Sequence, residues 1–95
     1  MVFERILYRV RQSIRSNTYV LTLHADDEMD EEVLTIFDVE RAILTGEILE
    51  RQRDKETAEA KYRLRGDSMG DEQVEVIVKF SPTGKLVIMT VYTVE

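Results

Sequence analysis

Residues 24–46, HADDEMDEEVLTIFDVERAILTG, decide the fold, because they form two consecutive helical patterns between a short strand and a strand-rich C-terminal half. In the first pattern Ala25, Met29 and Val33 are spaced by four and share one face. In the second, Thr35 and Asp38 approximate a capping box, and Gly46 is expected to end the helix in a left-handed conformation. Each helix therefore needs a surface to cover its apolar side.

Alternating strand-like patterns follow Gly46. Four strands are predicted, at residues 47–53, 60–66, 73–80 and 86–94. The Ser-Pro-Thr-Gly connector at 81–84 fits a type I turn and makes the last two strands a hairpin. Because the connections are short, the four strands are expected to form an antiparallel meander.

The alternation in these strands also predicts which side chains share a face. Val74, Val76 and Val78 lie on one face, which must meet the helices because each buried valine contributes about 1.5–3 kcal/mol. Lys61, Arg63 and Arg65 alternate in the neighbouring strand and are placed on the opposite face. That second face is expected to be partly open and basic.

A helix and a short strand precede the central stretch. Residues 2–16 have apolar residues at helical spacing, and residues 19–23, YVLTL, read as a strand. The arginines of this first helix are either solvated or form a rim that faces phosphate or a partner. The predicted class is therefore α+β within a single domain, residues 1–95. It comprises an N-terminal helix, a short strand, two consecutive helices and a curved four-stranded antiparallel meander with the helices on one face.

Composition excludes several classes of function. The chain of 95 residues contains no cysteine, so it has no disulfide, thiolate zinc site or cysteine nucleophile. The apolar residues near the N-terminus are interrupted by charges, unlike those of a signal peptide or membrane helix. We therefore expect a cytoplasmic protein without membrane contact.

Charge is distributed unevenly along the chain. The net charge is −6, and residues 26–40 carry eight acids without a lysine or arginine. The basic residues cluster elsewhere, so a local basic surface can exist despite the negative total. In the C-terminal half, the clustered basic residues are Arg51, Arg53, Lys61, Arg63 and Arg65.

A metal site is not predicted. The chain has one histidine, and Asp30, Glu31 and Glu32 are consecutive, so they point around a helix and cannot converge on one ion. No cofactor is expected.

A series of short motifs resembles a known family. In order they are His24-Ala25, Met29, Asp38-Val39, Ala42-Ile43 and Gly46, then a tyrosine-containing strand ending in Gly66 and the closing VIMTVYTVE. At these spacings the series resembles the bacterial family known as domain of unknown function 4258. The resemblance covers residues 18–95 and leaves the first helix, residues 1–17, outside.

The resemblance implies a fold and a function. The family is thought to share the fold of the RelE and MqsR toxins, which cleave messenger RNA, and its members often neighbour an antitoxin with a zinc-finger segment. By resemblance this chain is the toxin-side partner of such a pair. Its open sheet face would bind RNA and cleave it without metal, using the 2′-hydroxyl of the substrate as nucleophile. A homo-oligomer is compatible with this hypothesis.

Four residues are catalytic candidates under the resemblance. His24 matches the family histidine, a residue type whose ordinary pKa of about 6.5 suits proton transfer; alternatively it caps a helix or bonds a loop carbonyl. Arg63 and Arg65 would stabilise phosphate charge, or are solvated strand residues. Tyr92 matches the closing tyrosine and would stack on a base or donate a proton, or would belong to the core with Ile88. Arg51, Arg53 and Lys61 are candidates for RNA binding.

One departure from the family pattern opens an alternative. Where the family usually has arginine before the methionine, this chain has Glu28, which reverses a charge one helical turn from His24. The alternative function is a non-catalytic domain of the same fold. It would associate with a partner through its acidic helices or its basic sheet face.

Overall fold

The structure, a computed structural model, describes residues 2–95 and confirms the α+β class. The elements are α1 (Glu4–Arg15), β1 (Tyr19–Leu21), α2 (Leu23–Glu31), α3 (Ile36–Thr45), β2 (Glu47–Arg53), β3 (Ala60–Asp67), β4 (Gln73–Phe80) and β5 (Leu86–Thr93).

The sheet has five strands rather than the four of the predicted meander. Its order is β1-β5-β4-β3-β2, and the antiparallel meander β2 to β5 is extended by β1, which pairs parallel to β5. Tyr19 lies opposite Leu86 and Leu21 opposite Ile88. Sequence spacing does not reveal this pairing, because the two strands are separated by most of the chain.

The three helices supply one apolar layer over one face of the sheet. Buried side chains of β3, β4 and β5 meet those of the helices, and several are fully inaccessible. The core residues on the sheet side are Ile48, Tyr62, Leu64, Val74, Val76, Val78, Leu86, Ile88 and Val91. The valine face predicted for β4 is therefore confirmed as the covered face.

Two β-bulges change which residues share a face. In β2 the register shifts between Ile48 and Glu50, and in the β4–β5 pairing Ile77 faces Thr90 whereas Val78 faces Ile88. Because a bulge adds one residue to a strand, the alternation reverses beyond it. Tyr92 consequently lies on the open face, so the interpretation that it joins Ile88 in the core was wrong.

The helix ends follow local sequence signals, with one correction. The capping box of Thr35 and Asp38 is present, and Thr22 caps α2 by accepting a hydrogen bond from the Ala25 amide. Gly46 is not left-handed, since its φ is −94°. It is required for another reason: a Cβ there would overlap the backbone carbonyls of Arg65 and Ala42.

Arginines of α1 serve packing within the fold. Arg11 donates from Nε to the Ile43 carbonyl at 3.3 Å and from Nη2 to the Gly46 carbonyl at 2.6 Å. Its cation thereby satisfies carbonyls at the C-terminal end of α3, where the helix dipole favours positive charge. The Arg9 guanidinium lies 4.1 Å from the centre of the Phe80 ring. Arg11 is therefore held within the fold, whereas Arg9 remains exposed beside Phe80.

Candidate functional site

The uncovered face of the sheet gathers four polar side chains from three adjacent strands. Arg65 on β3, Glu75 on β4 and Tyr92 on β5 lie directly opposite one another in the strand register, and Arg63 is a diagonal neighbour. We call Arg63, Arg65, Glu75 and Tyr92 the Glu75 cluster. Cross-strand neighbours on one face are close enough for such side chains to meet.

Each oxygen of the Glu75 carboxylate has its own set of donors. Oε1 accepts from the Tyr92 hydroxyl at 2.5 Å and from Nη1 of Arg63 at 2.9 Å. Oε2 accepts only from Arg65 among residues 2–95, through Nε at 2.8 Å and Nη2 at 2.5 Å. The two arginines therefore play different parts in holding the carboxylate.

Arg63 has a second anchor that Arg65 lacks. Its Nε donates to Oε1 of Glu50 at 2.8 Å, and the same Glu50 oxygen accepts from the Gln52 amide at 2.7 Å. Hydrogen bonds to Glu50 and Glu75 raise the already high pKa of the Arg63 guanidinium. Hydrogen bonds from Arg63 and Gln52 lower the pKa of Glu50.

Glu75 is a buried carboxylate that stays ionised. It is 4% exposed although it lies on the uncovered face, because its partners close over it. Burial alone raises the pKa of this carboxyl, but hydrogen bonds from Tyr92, Arg65 and Arg63 outweigh burial and bring the pKa down to about 2. Burial and the hydrogen bond to Glu75 raise the pKa of Tyr92, so its phenol keeps its proton at neutral pH.

The open face is less basic than the sequence pattern indicates. The charges of Arg63 and Arg65 are balanced by those of Glu50 and Glu75. Lys79, on the same face, forms an ion pair with Glu59 at 3.4 Å. The arrangement is therefore a nearly neutral network of opposite charges rather than a uniform positive surface.

His24 lies on α2 and is not part of this network. Its imidazole is 71% exposed and its Nε2 is 3.3 Å from Oε1 of Glu28. Within residues 2–95 no hydrogen bond or ion pair joins His24 to the Glu75 cluster. The structure thus brings together three of the four catalytic candidates.

Glu28, the departure from the family pattern, has a structural partner. Its Oε1 accepts a hydrogen bond from the Val91 amide at 3.1 Å, and Glu32 accepts from the Thr93 amide at 3.4 Å. Both amides belong to the part of β5 that extends beyond β1. Glu28 of α2 and its C-cap residue Glu32 therefore satisfy a sheet edge that would otherwise be unpaired.

The three RNA-binding candidates do not share one surface. Lys61 alternates with the buried Tyr62 and therefore lies on the open face with Arg63 and Arg65. The bulge in β2 places Arg51 opposite Tyr62 and Arg53 opposite Ala60, on the side of the sheet that the helices cover. Both of these arginines are nevertheless exposed, and Arg53 donates to the Ala58 carbonyl at 2.8 Å.

Glu75 itself was missed by the sequence reasoning. Within VEVIV it reads as an ordinary solvent-facing residue between buried valines. A signal was present, however: in a β3–β4 hairpin the face opposite the valines places Glu75 beside the predicted row of Arg63 and Arg65. An acid facing two arginines across a hairpin indicates a shared ion pair.

Two further observations concern the described chain as a whole. None of its helices combines the length and apolar character needed to cross a membrane. In the same residues, no group of three or more histidine, cysteine, aspartate or glutamate side chains is placed to hold a metal ion.

The fold and the cluster define a class of protein: a small α+β domain whose single sheet carries helices on one face and a buried charged network on the other. The chain belongs to the family described as domain of unknown function DUF4258, whose model matches residues 21–93. No protein with a curated description matches the chain, and no solved structure does so. The family thus covers every element from the end of β1 to β5.

Proposed function

We propose that the chain is a metal-independent endoribonuclease of toxin type, with the Glu75 cluster as its active site. One observation carries this proposal: a carboxylate, two guanidiniums and a protonated phenol converge on the uncovered face of the sheet. RNA transesterification needs a base, an acid and cations. The cluster contains one candidate for each role.

The roles follow from the chemistry of each group. Glu75 is ionised and acts as the base that takes the proton from the 2′-hydroxyl. Arg63 and Arg65 stabilise the charge that develops on the phosphorus oxygens, which a planar guanidinium can contact with two N–H groups. Tyr92 is protonated and acts as the acid for the leaving 5′-oxygen.

The reaction balances without a co-reactant. The 2′-O–H bond breaks and its proton goes to Glu75, while the 2′-oxygen forms a new bond to phosphorus. The bond from phosphorus to the 5′-oxygen breaks, and that oxygen takes the phenol proton of Tyr92. The products are a 2′,3′-cyclic phosphate and a free 5′-hydroxyl. Glu75 then gives its proton to water and the Tyr92 phenolate takes one from water, which restores both groups.

The remaining sequence candidates take peripheral roles in this proposal. Lys61 contacts a neighbouring phosphate of the RNA strand on the same face. Arg51 and Arg53, on the other side of the sheet, contribute to RNA binding only if the RNA strand passes around the edge of the sheet formed by β2. His24 contributes only if bound RNA extends over α2.

The decisive experiment is cleavage of single-stranded RNA by purified protein in the presence of a chelator. We expect wild type to produce fragments ending in 2′,3′-cyclic phosphate, and Glu75→Gln to lower the rate by at least about 100-fold. His24→Ala is the control for the position of the site, because it changes a proton-transfer residue outside the cluster. Absence of cleavage by folded wild type, with and without ribosomes, would contradict the proposal. Equal losses of cleavage rate in both variants would instead indicate that His24 belongs to the active site.

The partner expected for such a toxin is a small antitoxin protein with a zinc-finger segment, and the proposed location of the pair is the cytoplasm.

The alternative function, association without catalysis, is favoured by one specific observation. Phe37 of α3 and Met69 of the β3–β4 loop are 65% and 62% exposed and line a common groove. Apolar side chains exposed together are typical of protein contacts. Under this alternative, wild type cleaves no RNA, and Phe37→Ala with Met69→Ala should weaken a complex recovered with the neighbouring gene product.

A further inference from the structure

The two oxygens of the Glu75 carboxylate are held by different residues, and this asymmetry has a functional consequence. Removing Arg65 would leave Oε2 without a donor among residues 2–95, while Oε1 would keep both Tyr92 and Arg63. The carboxylate would remain fixed in position with one free oxygen. A fixed carboxylate with one free oxygen is the arrangement that a general base requires.

Arg65 is the residue of the cluster best placed to move. It is 38% exposed, whereas Arg63 is 24% exposed and is also held by Glu50. Glu75 is the only carboxylate that the Arg65 guanidinium contacts within the described chain. A non-bridging oxygen of a phosphodiester is an anionic acceptor like Oε2 of Glu75, so it can replace Oε2 as the partner of Arg65.

We infer that Glu75 occupies the place of a substrate phosphate on Arg65. A bound phosphodiester displaces Glu75 from Arg65, which frees Oε2 to accept the 2′-hydroxyl proton. This inference rests on the proposed function for the identity of the ligand. It gives Glu75 two successive states, a closed state paired with Arg65 and an open state in which the carboxylate is a stronger base. The base is then activated only when a phosphodiester is present.

The exchange couples binding to the protonation of Glu75. The titratable and charged groups around this carboxylate are Arg63 and Arg65 on β3 and Tyr92 on β5, with Glu50 beyond Arg63 on β2. When Arg65 turns to the phosphate, Glu75 loses one cationic donor and gains an anion nearby, and both changes favour the protonated carboxyl. Ligand binding should therefore raise the pKa of Glu75 from about 2.

The first test is binding of a short single-stranded oligodeoxynucleotide, which has phosphodiesters but no 2′-hydroxyl and cannot be cleaved by this route. Glu75→Gln removes the internal competitor, so we expect it to bind this probe about tenfold more tightly than wild type. Glu50→Gln is the matched control. It also removes one negative charge from the open face, but it leaves Arg65 paired with Glu75, so its gain should be much smaller.

The second test uses wild type alone and does not depend on whether a variant folds. The Glu75 carboxyl carbon is followed by nuclear magnetic resonance during pH titrations with and without the oligodeoxynucleotide. We expect the probe to raise the pKa of Glu75 by at least about one unit. An unchanged pKa with the probe bound, or a gain in Glu75→Gln no larger than that in Glu50→Gln, would overturn the inference, as would absence of binding.

The outcomes separate this inference from the proposed function. Tighter binding by Glu75→Gln together with no RNA cleavage by wild type would support the exchange at Arg65 and contradict the nuclease. Cleavage by wild type with equal binding by Glu75→Gln and Glu50→Gln would support the nuclease and overturn the exchange.

Discussion

The two faces of β4 bury their side chains in different ways. Val74, Val76 and Val78 are fully buried against the helices. Glu75 alternates with them and is buried almost as completely, but by two arginines and a tyrosine on the side without helices. Burying apolar side chains on the covered face is favourable by itself. Burying the Glu75 carboxylate on the open face is unfavourable, and charged hydrogen bonds must offset that cost. Changes on the two faces should therefore have effects of different size and kind.

The largest effect is expected where the covered face meets α3 most closely. A Cβ at Gly66 would overlap the backbone of Ala42, so Gly66→Ala forces β3 away from α3. We expect a loss of about 3 kcal/mol or more in the free energy of unfolding, measured by urea denaturation. Gly70→Ala is the control, since the nearest atom to its Cβ would be 3.9 Å away. Similar losses in both variants would contradict the close approach at Gly66.

A truncation on each face tests the comparison directly. Leu64 is fully buried on the covered face, and Ile77 is half-buried on the open face. Leu64→Ala should cost about 3 kcal/mol of unfolding free energy, and Ile77→Ala less than half as much. Equal costs in urea denaturation would show that the open face is covered in solution.

Acid should selectively remove the stability that Glu75 contributes on the open face. The pKa of Glu75 is about 2 in the fold and 4.5 for an ordinary glutamate, so its stabilisation is complete above about pH 4.5 and is lost as the pH falls towards 2. The stability advantage of wild type over Glu75→Gln should therefore shrink by roughly 2–3 kcal/mol between pH 6 and pH 2. Asp38 and Asp54, whose pKa values are also lowered by hydrogen bonds, are common to both proteins. A constant difference across this range would mean that Glu75 is not held as described.

The smallest stability effect is expected from a single hydroxyl. Tyr92→Phe removes one donor to Glu75 and should cost about 1 kcal/mol. Tyr19→Phe is a matched control, because the Tyr19 hydroxyl also donates to a glutamate, Glu40, at 2.7 Å. Under the proposed function both variants lose similar stability, but only Tyr92→Phe loses RNA cleavage. Equal cleavage by the two variants would remove Tyr92 from the proposed mechanism.

Local patterns in the sequence were sufficient for the covered face. The capping box of Thr35 and Asp38, the alternating valines of β4 and the turn before Gly84 are all properties of short segments. The turn is confirmed by a hydrogen bond from the Gly84 amide to the Ser81 carbonyl and by a φ of 85° at Gly84. Each of these signals depends on residues within a few positions of one another.

The open face could not be predicted in the same way. Which residues lie on it depends on bulges in β2 and β5, because each bulge reverses the alternation beyond it. Simple alternation would put Arg51 on the open face and Tyr92 on the covered face, and the bulges exchange these positions. The partner of Arg65 is a residue of another strand, and the separation of His24 from the cluster depends on where α2 packs. The candidate site is therefore a property of the assembled sheet, although the closing family motif pointed to Tyr92 and the alternation of basic residues in β3 pointed to Arg63 and Arg65.

The parallel pairing of β1 with β5 has a consequence for the order in which the chain folds during synthesis. Within residues 2–95, β1 pairs only with β5, and β5 is the last of the five strands in chain order. Until residues 86–93 leave the ribosome, β1 has no neighbour, and α2 lacks the edge that Glu28 and Glu32 satisfy. Tyr92 is also missing until then, so the Glu75 cluster is completed only after β5 has been made. A nascent chain shorter than this would thus carry the two arginines without the finished site.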